Sequence, residues 1–341
     1  PPPPPPPFLM IRRPPRSTPL TCRRQRQMCI RDRSYAERNE RQQLHAVTNL
    51  DLALQAGETV AVVGESGSGK SSFVRAVLGL VPMRAGRVAF CGQDIGGPVQ
   101  ARAIEIRRDL QLVFQDPAGS LNPQLRIERI IAEPLTVHAR ELDAKARSER
   151  VADALRRVGL DHGLLNRFPH QLSGGQAQRV AIARALIVNP RVLVCDEAVA
   201  ALDGAARQQI LSLLQREQRA TGLAIVFISH DLAVVRSISH RVMVLYLGRL
   251  VELADGSGIF GHPRHPYTRA LLDAVPVPDP VAPGGKLSLG GEMPSIIDPP
   301  PGCAFHPRCR FAIGRCGVES PPARLVGEAR VACHRAEELE L

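Results

Sequence analysis

Apolar runs and amphipathic segments alternate along most of this chain. Leu44–Gln55 alternates apolar and polar side chains and predicts a half-buried antiparallel strand, whereas the mostly apolar Glu58–Val63 predicts a buried parallel strand. Arg241–Leu253 contains two apolar runs around Gly248 and predicts a β-hairpin. Further strands are predicted at Gly86–Gly92, Leu110–Gln115, Arg191–Glu197 and Leu223–Ser229.

Segments with helical spacing lie between these strands. They are Ser71–Leu80, much of 126–170, Leu172–Ile187, a stretch near 203–219 and a short helix within His265–Pro276. Strands that alternate with helices in this way imply an α/β core whose parallel strands are connected by helices.

The pattern changes after Leu253. Residues 276–302 are rich in Pro and Gly, and the last 40 residues contain four of the eight cysteines. We therefore predict a domain boundary near residues 255–262, with a core domain over 35–255 and a small, irregular, Cys-rich domain over 256–341.

The first 34 residues have a different composition. Seven prolines precede a segment with eight arginines, and neither a helical nor a strand period is present. The apolar run Phe8–Ile11 is too short for a signal-peptide core. The segment resembles translated sequencing-adapter sequence, and we expect residues 1–34 to be a non-native, disordered leader that replaces the true N-terminus. The alternative is a basic arm that binds nucleic acid.

Composition limits the classes of function. The net charge of +11 suggests a nucleic-acid partner, but +7 of it belongs to the leader, so we expect no nucleic acid to bind the rest of the chain. Apolar residues make up 44% of the chain. None of the apolar runs approaches the roughly 18–20 residues that cross a membrane, so any membrane role requires a partner.

The segment GESGSGKS, Gly64–Ser71, fits the phosphate-binding pattern G-x-x-x-x-G-K-[ST]. Glycines allow the loop backbone to turn its N–H groups inward, and the predicted strand before it and helix after it place the loop at a helix N-terminus that favours phosphate. Lys70 is expected to reach the β- and γ-phosphates, and the Ser71 hydroxyl is expected to bind Mg²⁺. A glycine-rich turn of no function is the alternative. The sequence therefore predicts a nucleoside triphosphate site.

Other polar residues follow predicted strands. Asp196 and Glu197 end a hydrophobic strand, where the first can bind Mg²⁺ and the second can polarise an attacking water. Gln115 and His230 also end strands, and the carboxyl edge of a parallel sheet is where α/β proteins bind ligands. Two exposed acids at a strand end would be the alternative for Asp196 and Glu197. The segment LSGGQ, Leu172–Gln176, precedes a helix and could form a second phosphate-binding N-terminus.

Taken in order, these motifs and the segment Ala201–Asp203 resemble the nucleotide-binding domain of ABC ATPases over about residues 35–255. The resemblance implies a P-loop NTPase with a RecA-like parallel-sheet core, an antiparallel β subdomain and a helical subdomain over about 116–175. The pattern DEPTSALD of the family is DEAVAALD here, with Ala198 and Ala200 at positions without essential catalytic chemistry.

The resemblance also implies roles for individual residues. Glu197, His230 and Gln115 would be catalytic, with Gln115 sensing Mg²⁺ beside Ser71 and Asp196, and Tyr35 would stack on adenine. The residues expected to contact Mg-ATP are Tyr35, Gly64, Glu65, Ser66, Gly67, Ser68, Gly69, Lys70, Ser71, Ser72, Gln115 and Asp196, and, towards the nucleotide of an opposite subunit, Ser173, Gly174, Gly175, Gln176 and Asp203.

The segments Val113–Pro123 and His265–Pro276 and the cysteine-containing tail resemble ATP-binding subunits of oligopeptide, dipeptide and nickel importers. This implies a peripheral ATPase at the cytoplasmic face of the cell membrane, partnered by a second ATPase subunit, two permeases and an external substrate-binding protein. A nickel or glutathione importer of the same family is the alternative. A soluble ABC ATPase outside transport and a regulatory nucleotide-binding module are more distant possibilities.

The tail cysteines have the spacing C-x5-C-x6-C-x16-C, unlike the paired spacing of common zinc sites. Similar tails in this family are associated with a 4Fe–4S cluster, and zinc or unligated thiols are the alternatives. The residues concerned are Cys303, Cys309, Cys316 and Cys333. Cys91 and Cys195, in predicted strands, are interpreted as small buried apolar residues.

Overall fold

The computed structural model describes residues 46–200, 202–275 and 289–341, together with the backbone of Leu9–Ile11 and Ile30–Arg31. These residues form two compact units. The first contains the described residues up to Ala53, then Val60–Pro98 and His230–Leu341, and the second contains Leu54–Thr59 and Val99–Ser229.

Strands and helices alternate through both units, as the sequence predicts. The strands are β1 Leu9–Ile11, β2 Ile30–Arg31, β3 Leu52–Leu54, β4 Thr59–Val63, β5 Ala85–Gly86, β6 Ala89–Phe90, β7 Gln93–Asp94, β8 Leu110–Val113, β9 Val192–Asp196, β10 Ala224–Ile228, β11 Arg241–Tyr246, β12 Arg249–Asp255, β13 Arg324–Val326 and β14 Ala329–Val331. The helices are α1 Lys70–Val77, α2 Ile104–Asp109, α3 Pro117–Ser120, α4 Ile127–His138, α5 Ala144–Arg157, α6 Gly174–Leu186, α7 Gly204–Thr221, α8 Leu232–Ile238, α9 Gly256–Gly261 and α10 Pro266–Asp273.

The first unit contains the strands that support the glycine-rich loop. In strand order β13-β14-β12-β11-β4, only β11 and β4 pair in parallel, and the other neighbours are antiparallel. Strands β11 and β12 form the hairpin predicted around Gly248. Its turn places Leu247 at φ 44° and Gly248 at φ 71°, the left-handed conformations that a tight hairpin turn requires.

Small antiparallel sheets in the first unit contradict part of the expectation for the leader. Strand β1 pairs with β6, and β2 pairs with β5. The expectation of a leader without secondary structure therefore fails at these two segments, where main-chain groups pair with neighbouring strands despite the absence of a strand period. The rest of residues 1–34 lies outside the described residues.

The C-terminal region does not form a separate Cys-rich domain, so that part of the predicted fold is wrong. Strand β14 pairs with β12, and Val331 packs with Tyr246 and Tyr267 in the same core as Val63 of β4. Tail residues instead complete the core of the first unit.

The second unit contains three parallel strands in the order β10-β9-β8 and most of the helices. All side chains of β9 and β10 are buried, as expected for parallel strands covered on both faces. Helices α4 and α5 occupy most of the segment predicted to be a helical insertion, and α4 packs against α6. No helix in the described parts of the chain is both long and apolar enough to cross a membrane.

The predictions for the two strand cysteines have different outcomes. Cys195 lies in β9 and is fully buried, and burial raises the pKa of its thiol to about 12. Cys91 is exposed, which contradicts its interpretation as a buried residue. Strand β6 ends at Phe90, and Cys91 at φ 50° already belongs to the turn that connects β6 to β7.

Candidate functional site

The glycine-rich loop joins the buried strand β4 to helix α1, the context that the sequence predicts for phosphate binding. Gly64 lies at φ 150°, and a Cβ atom there would lie 2.3 Å from the carbonyl oxygen of Leu245. Gly69 lies at φ 96°, and a Cβ atom there would lie 2.5 Å from the carbonyl oxygen of Ala46. The loop conformation therefore requires glycine at both positions.

The side chain of Lys70 lies inside the loop and is only 7% exposed. Its Nζ donates hydrogen bonds of 2.8 Å to the carbonyl oxygens of both Gly64 and Glu65, and it lies 3.4 Å from the Ser68 hydroxyl. Ser71 and Ser72 lie in the first turn of α1, where N–H groups and the helix dipole favour an anion. A fixed ammonium group and a helix N-terminus thus lie together, as triphosphate binding requires.

The turn of the β11–β12 hairpin packs against the glycine-rich loop. The N–H of Gly248 donates to the carbonyl oxygen of Ser68 at 2.8 Å, and the carbonyl of Gly248 accepts from Thr48 at 2.8 Å. A Cβ atom on Gly248 would lie 2.4 Å from the carbonyl oxygen of Ala46. The hairpin glycine therefore allows the close backbone approach that fixes the loop.

Sequence reasoning missed two further contacts to the loop. The hydroxyl of Tyr267 accepts a hydrogen bond of 2.9 Å from the N–H of Glu65, and the guanidinium of Arg308 lies 3.0 Å from the Glu65 carboxylate. The His-Pro-Tyr segment is distinctive in the sequence, but its loop partner lies 202 residues away. No local pattern in the sequence reports that pairing.

In the second unit, Gln115 and Glu197 are brought together. Nε2 of Gln115 donates a hydrogen bond of 2.9 Å to Oε2 of Glu197. Glu197 follows the last residue of β9 and lies at φ 50°, a left-handed conformation that is strained for this residue type. Its N–H donates to the carbonyl oxygen of Ile228, while the neighbouring Asp196 is buried. Strain concentrated at an acid is typical of functional sites.

The LSGGQ segment forms a reciprocal cap on helix α6. The hydroxyl of Ser173 accepts a hydrogen bond of 3.2 Å from the N–H of Gln176, and Oε1 of Gln176 accepts one of 3.0 Å from the N–H of Ser173. Ser173 and Gly174 remain exposed, and Gly175 and Gln176 are partly exposed. The segment therefore presents an ordered helix N-terminus at the surface of the second unit.

The remaining predicted site residues occupy element ends. Asp203, in the second unit, is the N-cap of α7 and accepts from the N–H of Ala206 at 2.8 Å. His230, in the first unit, is exposed and precedes Asp231, the N-cap of α8. Tyr35, the expected adenine-stacking residue, lies outside the described residues.

The four tail cysteines are brought together in the first unit, lining one small cavity of about 10 Å³. The N–H of Cys303 donates to the carbonyl oxygen of Cys316 at 2.8 Å. Burial, and then the neighbouring thiols of Cys316 and Cys333, raise the pKa of Cys303 to about 11. Within the described ranges, no group of three or more His, Cys, Asp or Glu side chains is arranged to hold a metal ion. Four thiols fit the donor set of a soft metal, but the cavity is about the size of one water molecule.

Comparisons with known proteins agree with this geometry. Residues 47–200 match the family model "ABC transporter", and residues 251–316 match the model "Oligopeptide/dipeptide transporter, C-terminal region". The second match includes the His-Pro-Tyr segment and three of the four tail cysteines. Residues 47–200 and residues 251–316 therefore match two different family models.

Curated relatives extend the similarity over most of the chain. A probable peptide ABC transporter ATP-binding protein of Sinorhizobium fredii is 48% identical over 292 residues, which cover 85% of this chain and 82% of the relative. The oligopeptide transport ATP-binding protein OppF of Salmonella typhimurium is 47% identical over 298 residues, which cover 87% of this chain and 89% of the relative.

A solved structure has the same fold. It is a dimeric ATP-binding cassette in a post-hydrolysis state bound to ADP and Pi, 30% identical to this chain, with a TM-score of 0.61. The match covers 67% of this chain and 97% of the cassette. With relatives this similar over most of their length, the chain belongs to the ABC transporter ATP-binding family, in the branch with the oligopeptide/dipeptide transporter C-terminal region.

Proposed function

We propose that this chain hydrolyses ATP to drive the import of di- or oligopeptides through an ABC transporter. The observation that carries the proposal is the glycine-rich loop of the first unit, which encloses the ammonium group of Lys70. Within the second unit, the hydrogen bond from Gln115 to the strand-end acid Glu197 supports it. The peptide substrate is supported by the C-terminal region and by the relatives, which are named as peptide and oligopeptide transport proteins.

In the proposed reaction, the glycine-rich loop binds the triphosphate through its N–H groups and Lys70. Glu197 accepts a proton from a water molecule whose oxygen forms a bond to the γ-phosphorus. The bond between the γ-phosphorus and its bridging oxygen breaks, so ADP and phosphate leave. Ser71, Asp196 and Gln115 would hold Mg²⁺, which neutralises phosphate charge when bound. His230 would contact the γ-phosphate.

The LSGGQ segment of a second ATPase subunit would complete each site. Ser173, Gly174, Gly175, Gln176 and Asp203 of one subunit would bind the nucleotide held by the loop of the other. An exposed, reciprocally capped helix N-terminus supports this role. The dimeric cassette bound to ADP and Pi supports a dimeric arrangement. The two subunits would be peripheral to the membrane at its cytoplasmic face, with two permeases and an external binding protein as partners.

The four tail cysteines would bind a metal centre, with a 4Fe–4S cluster ahead of zinc. What supports this second proposal is that all four tail thiols line one cavity. Cys303, Cys309, Cys316 and Cys333 would be the ligands, and the small cavity would have to open to admit a cluster. The tail has no core separate from that of the first unit. A metal bound by four of its side chains would therefore stabilise the fold of this loop-rich segment.

Transport by the reconstituted complex tests the main proposal. The chain would be assembled in vesicles with the permeases and binding protein encoded beside it, and ATP hydrolysis would be measured with a mixed peptide library, nickel and glutathione. Stimulation of hydrolysis by peptides is expected. Stimulation by nickel or glutathione alone would favour the alternative importers, and hydrolysis independent of membrane partners would favour an ATPase outside transport.

A further inference from the structure

The phosphate-binding loop contains an acid, which is an unfavourable residue beside a triphosphate. Glu65 directly follows Gly64, and its side chain is 25% exposed. A carboxylate at this position would repel the phosphate oxygens unless a cation compensates it. The compensating cation comes from the tail, 243 residues further along the chain.

Arg308 is that cation, and its position is fixed by several contacts. One guanidinium nitrogen lies 3.0 and 3.1 Å from the two carboxylate oxygens of Glu65, and Nε donates to the carbonyl oxygen of Gly290 at 2.9 Å. The guanidinium also lies 5.9 Å from the ring centroid of Tyr246. Because only 5% of the Arg308 side chain is exposed, water screens this ion pair little.

The main chain of Glu65 is held by a second residue of the C-terminal region. Its N–H donates to the hydroxyl of Tyr267, whose ring is fully buried. The ring packs 4.7 Å from the centroid of Tyr246 and 5.3 Å from that of Phe305, so the hydroxyl has little freedom. Burial raises the pKa of Tyr267, which keeps the hydroxyl protonated at neutral pH.

The His-Pro-Tyr segment accounts for the placement of this tyrosine. Nδ1 of His265 accepts from the N–H of Tyr267 and caps helix α10, while Pro266 takes the first helical position. The buried carboxylate of Glu252 accepts from the N–H groups of Arg264 and His265 at 2.8 and 3.0 Å. The motif thus fixes the start of α10, from which Tyr267 reaches the loop.

We propose that Arg308 and Tyr267 are positioning residues of the nucleotide site, which hold the loop through Glu65 and neutralise its charge so that the loop can accept a triphosphate. The inference rests on the proposed ATP binding and extends it. It gives the C-terminal region a direct part in nucleotide affinity.

The test compares the affinity of the full chain for Mg-ATP, measured by isothermal titration calorimetry, among charge variants. Arg308→Gln should weaken binding about tenfold, because it leaves the Glu65 carboxylate unpaired beside the phosphates. Glu65→Gln removes the carboxylate and leaves the positive charge of Arg308 beside the phosphates, so it should raise affinity. The double variant Glu65→Gln/Arg308→Gln should recover most of the loss. Arg310→Gln is the matched control, because Arg310 is exposed and lies against the ring of Phe311.

Tyr267→Phe tests the second contact and should weaken binding about fivefold, the effect of one lost hydrogen bond to the loop main chain. In the assembled transporter both weakened variants should raise KM for ATP more than they lower kcat. This split separates a positioning role from general damage, which would lower both the melting temperature and kcat.

Other outcomes overturn the inference in distinguishable ways. If the wild-type chain binds no ATP, both the proposed function and this inference fail. If it binds ATP and Arg308→Gln binds equally well, only the inference fails. An equal loss in Arg308→Gln and in the double variant would mean that charge compensation plays no part, and the inference would again be wrong.

Discussion

Nε2 of Gln115 donates a hydrogen bond of 2.9 Å to Oε2 of Glu197, joining residues 82 positions apart in the sequence. The contact links the loop after β8 to the acid at the end of β9. Because both strands are parallel neighbours in the second unit, their carboxyl ends lie at the same sheet edge. The hydrogen bond from the amide fixes the orientation of the Glu197 carboxylate, as a general base needs.

Glu197→Gln is expected to keep Mg-ATP binding but lower turnover by a factor of about 10²–10⁴, since a general base typically contributes that much. The amide is nearly isosteric with the carboxylate but cannot accept the proton of the attacking water. Nucleotide binding to the purified chain and hydrolysis by the assembled transporter should be measured together. Wild-type hydrolysis by this variant would show that another group acts as the base.

Gly64→Ala is expected to destabilise the fold by about 3 kcal/mol or more and to abolish ATP binding, because its Cβ atom would clash with main-chain and side-chain oxygens of the loop support. Gly92→Ala is the matched control. Gly92 lies at φ 80° but has open space around its Cβ position, so only the left-handed conformation is penalised, by about 1–2 kcal/mol. Urea unfolding of both variants measures the difference, and equal losses would contradict the steric argument.

The sequence predicts the elements that local patterns encode. The glycine-rich loop, the hairpin at Gly248 and the buried strand β9 follow from residue types over short windows, and each is present. The exposure of Cys91 was missed because a one-residue change in where β6 ends moves a side chain from the core to a turn. The residue at which a short strand ends depends on which strands it pairs with, and the local pattern of apolar residues does not show this.

Contacts between residues far apart in the chain could not be predicted from local sequence patterns, because they depend on how the elements pack. Tyr267 reaches Glu65 from α10, which packs against β12, and Arg308 reaches it from a tail that shares the core of the first unit. The prediction of a separate domain over 256–341 was wrong for the same reason, because this region packs into the core of the first unit. Proline- and glycine-rich composition indicates irregular structure, but it does not indicate which surface that structure packs against.

Folding stability should depend on pH through His265, which is fully buried. Burial lowers its pKa to about 3, below the ordinary value of 6.5. The unfolded chain therefore binds a proton that the folded chain does not, and stability falls as the pH drops below 6.5 towards 3. The free energy of unfolding should decrease by up to about 1.4 kcal/mol per pH unit in this window.

His265→Asn is the comparison for that experiment, because asparagine can cap α10 but does not titrate. Burial raises the pKa of the neighbouring Glu252, which acts in the opposite direction, but this contribution is shared by both proteins. The difference between wild type and variant, measured by urea unfolding at pH 7.5 and 5.5, isolates His265. If the free energy of unfolding changes equally with pH in wild type and variant, then His265 binds its proton equally well in the folded and unfolded states, and the prediction is wrong.

The last prediction concerns the tail cysteines. If they hold a cluster, anaerobically purified protein should be brown and contain about four irons per chain. Cys309→Ser should lose the metal, since a hydroxyl is a poor substitute for a soft thiolate. Cys91→Ser, which removes an exposed thiol elsewhere in the first unit, should keep it. From sequence separation alone, ATP binding would be expected to survive Cys309→Ser, but Arg308 directly precedes this residue and contacts Glu65.

The Cys309→Ser variant should therefore lose ATP affinity together with its metal, whereas Cys91→Ser should lose neither. Metal analysis and ATP titration on the same preparations connect the two effects. Colourless protein with one zinc would keep a metal-bound tail but exclude the cluster. Metal-free wild-type protein with a protease-resistant tail would show that the four thiols are ordinary core residues. If a variant without metal keeps its ATP affinity, the cysteines do not determine the position of Arg308.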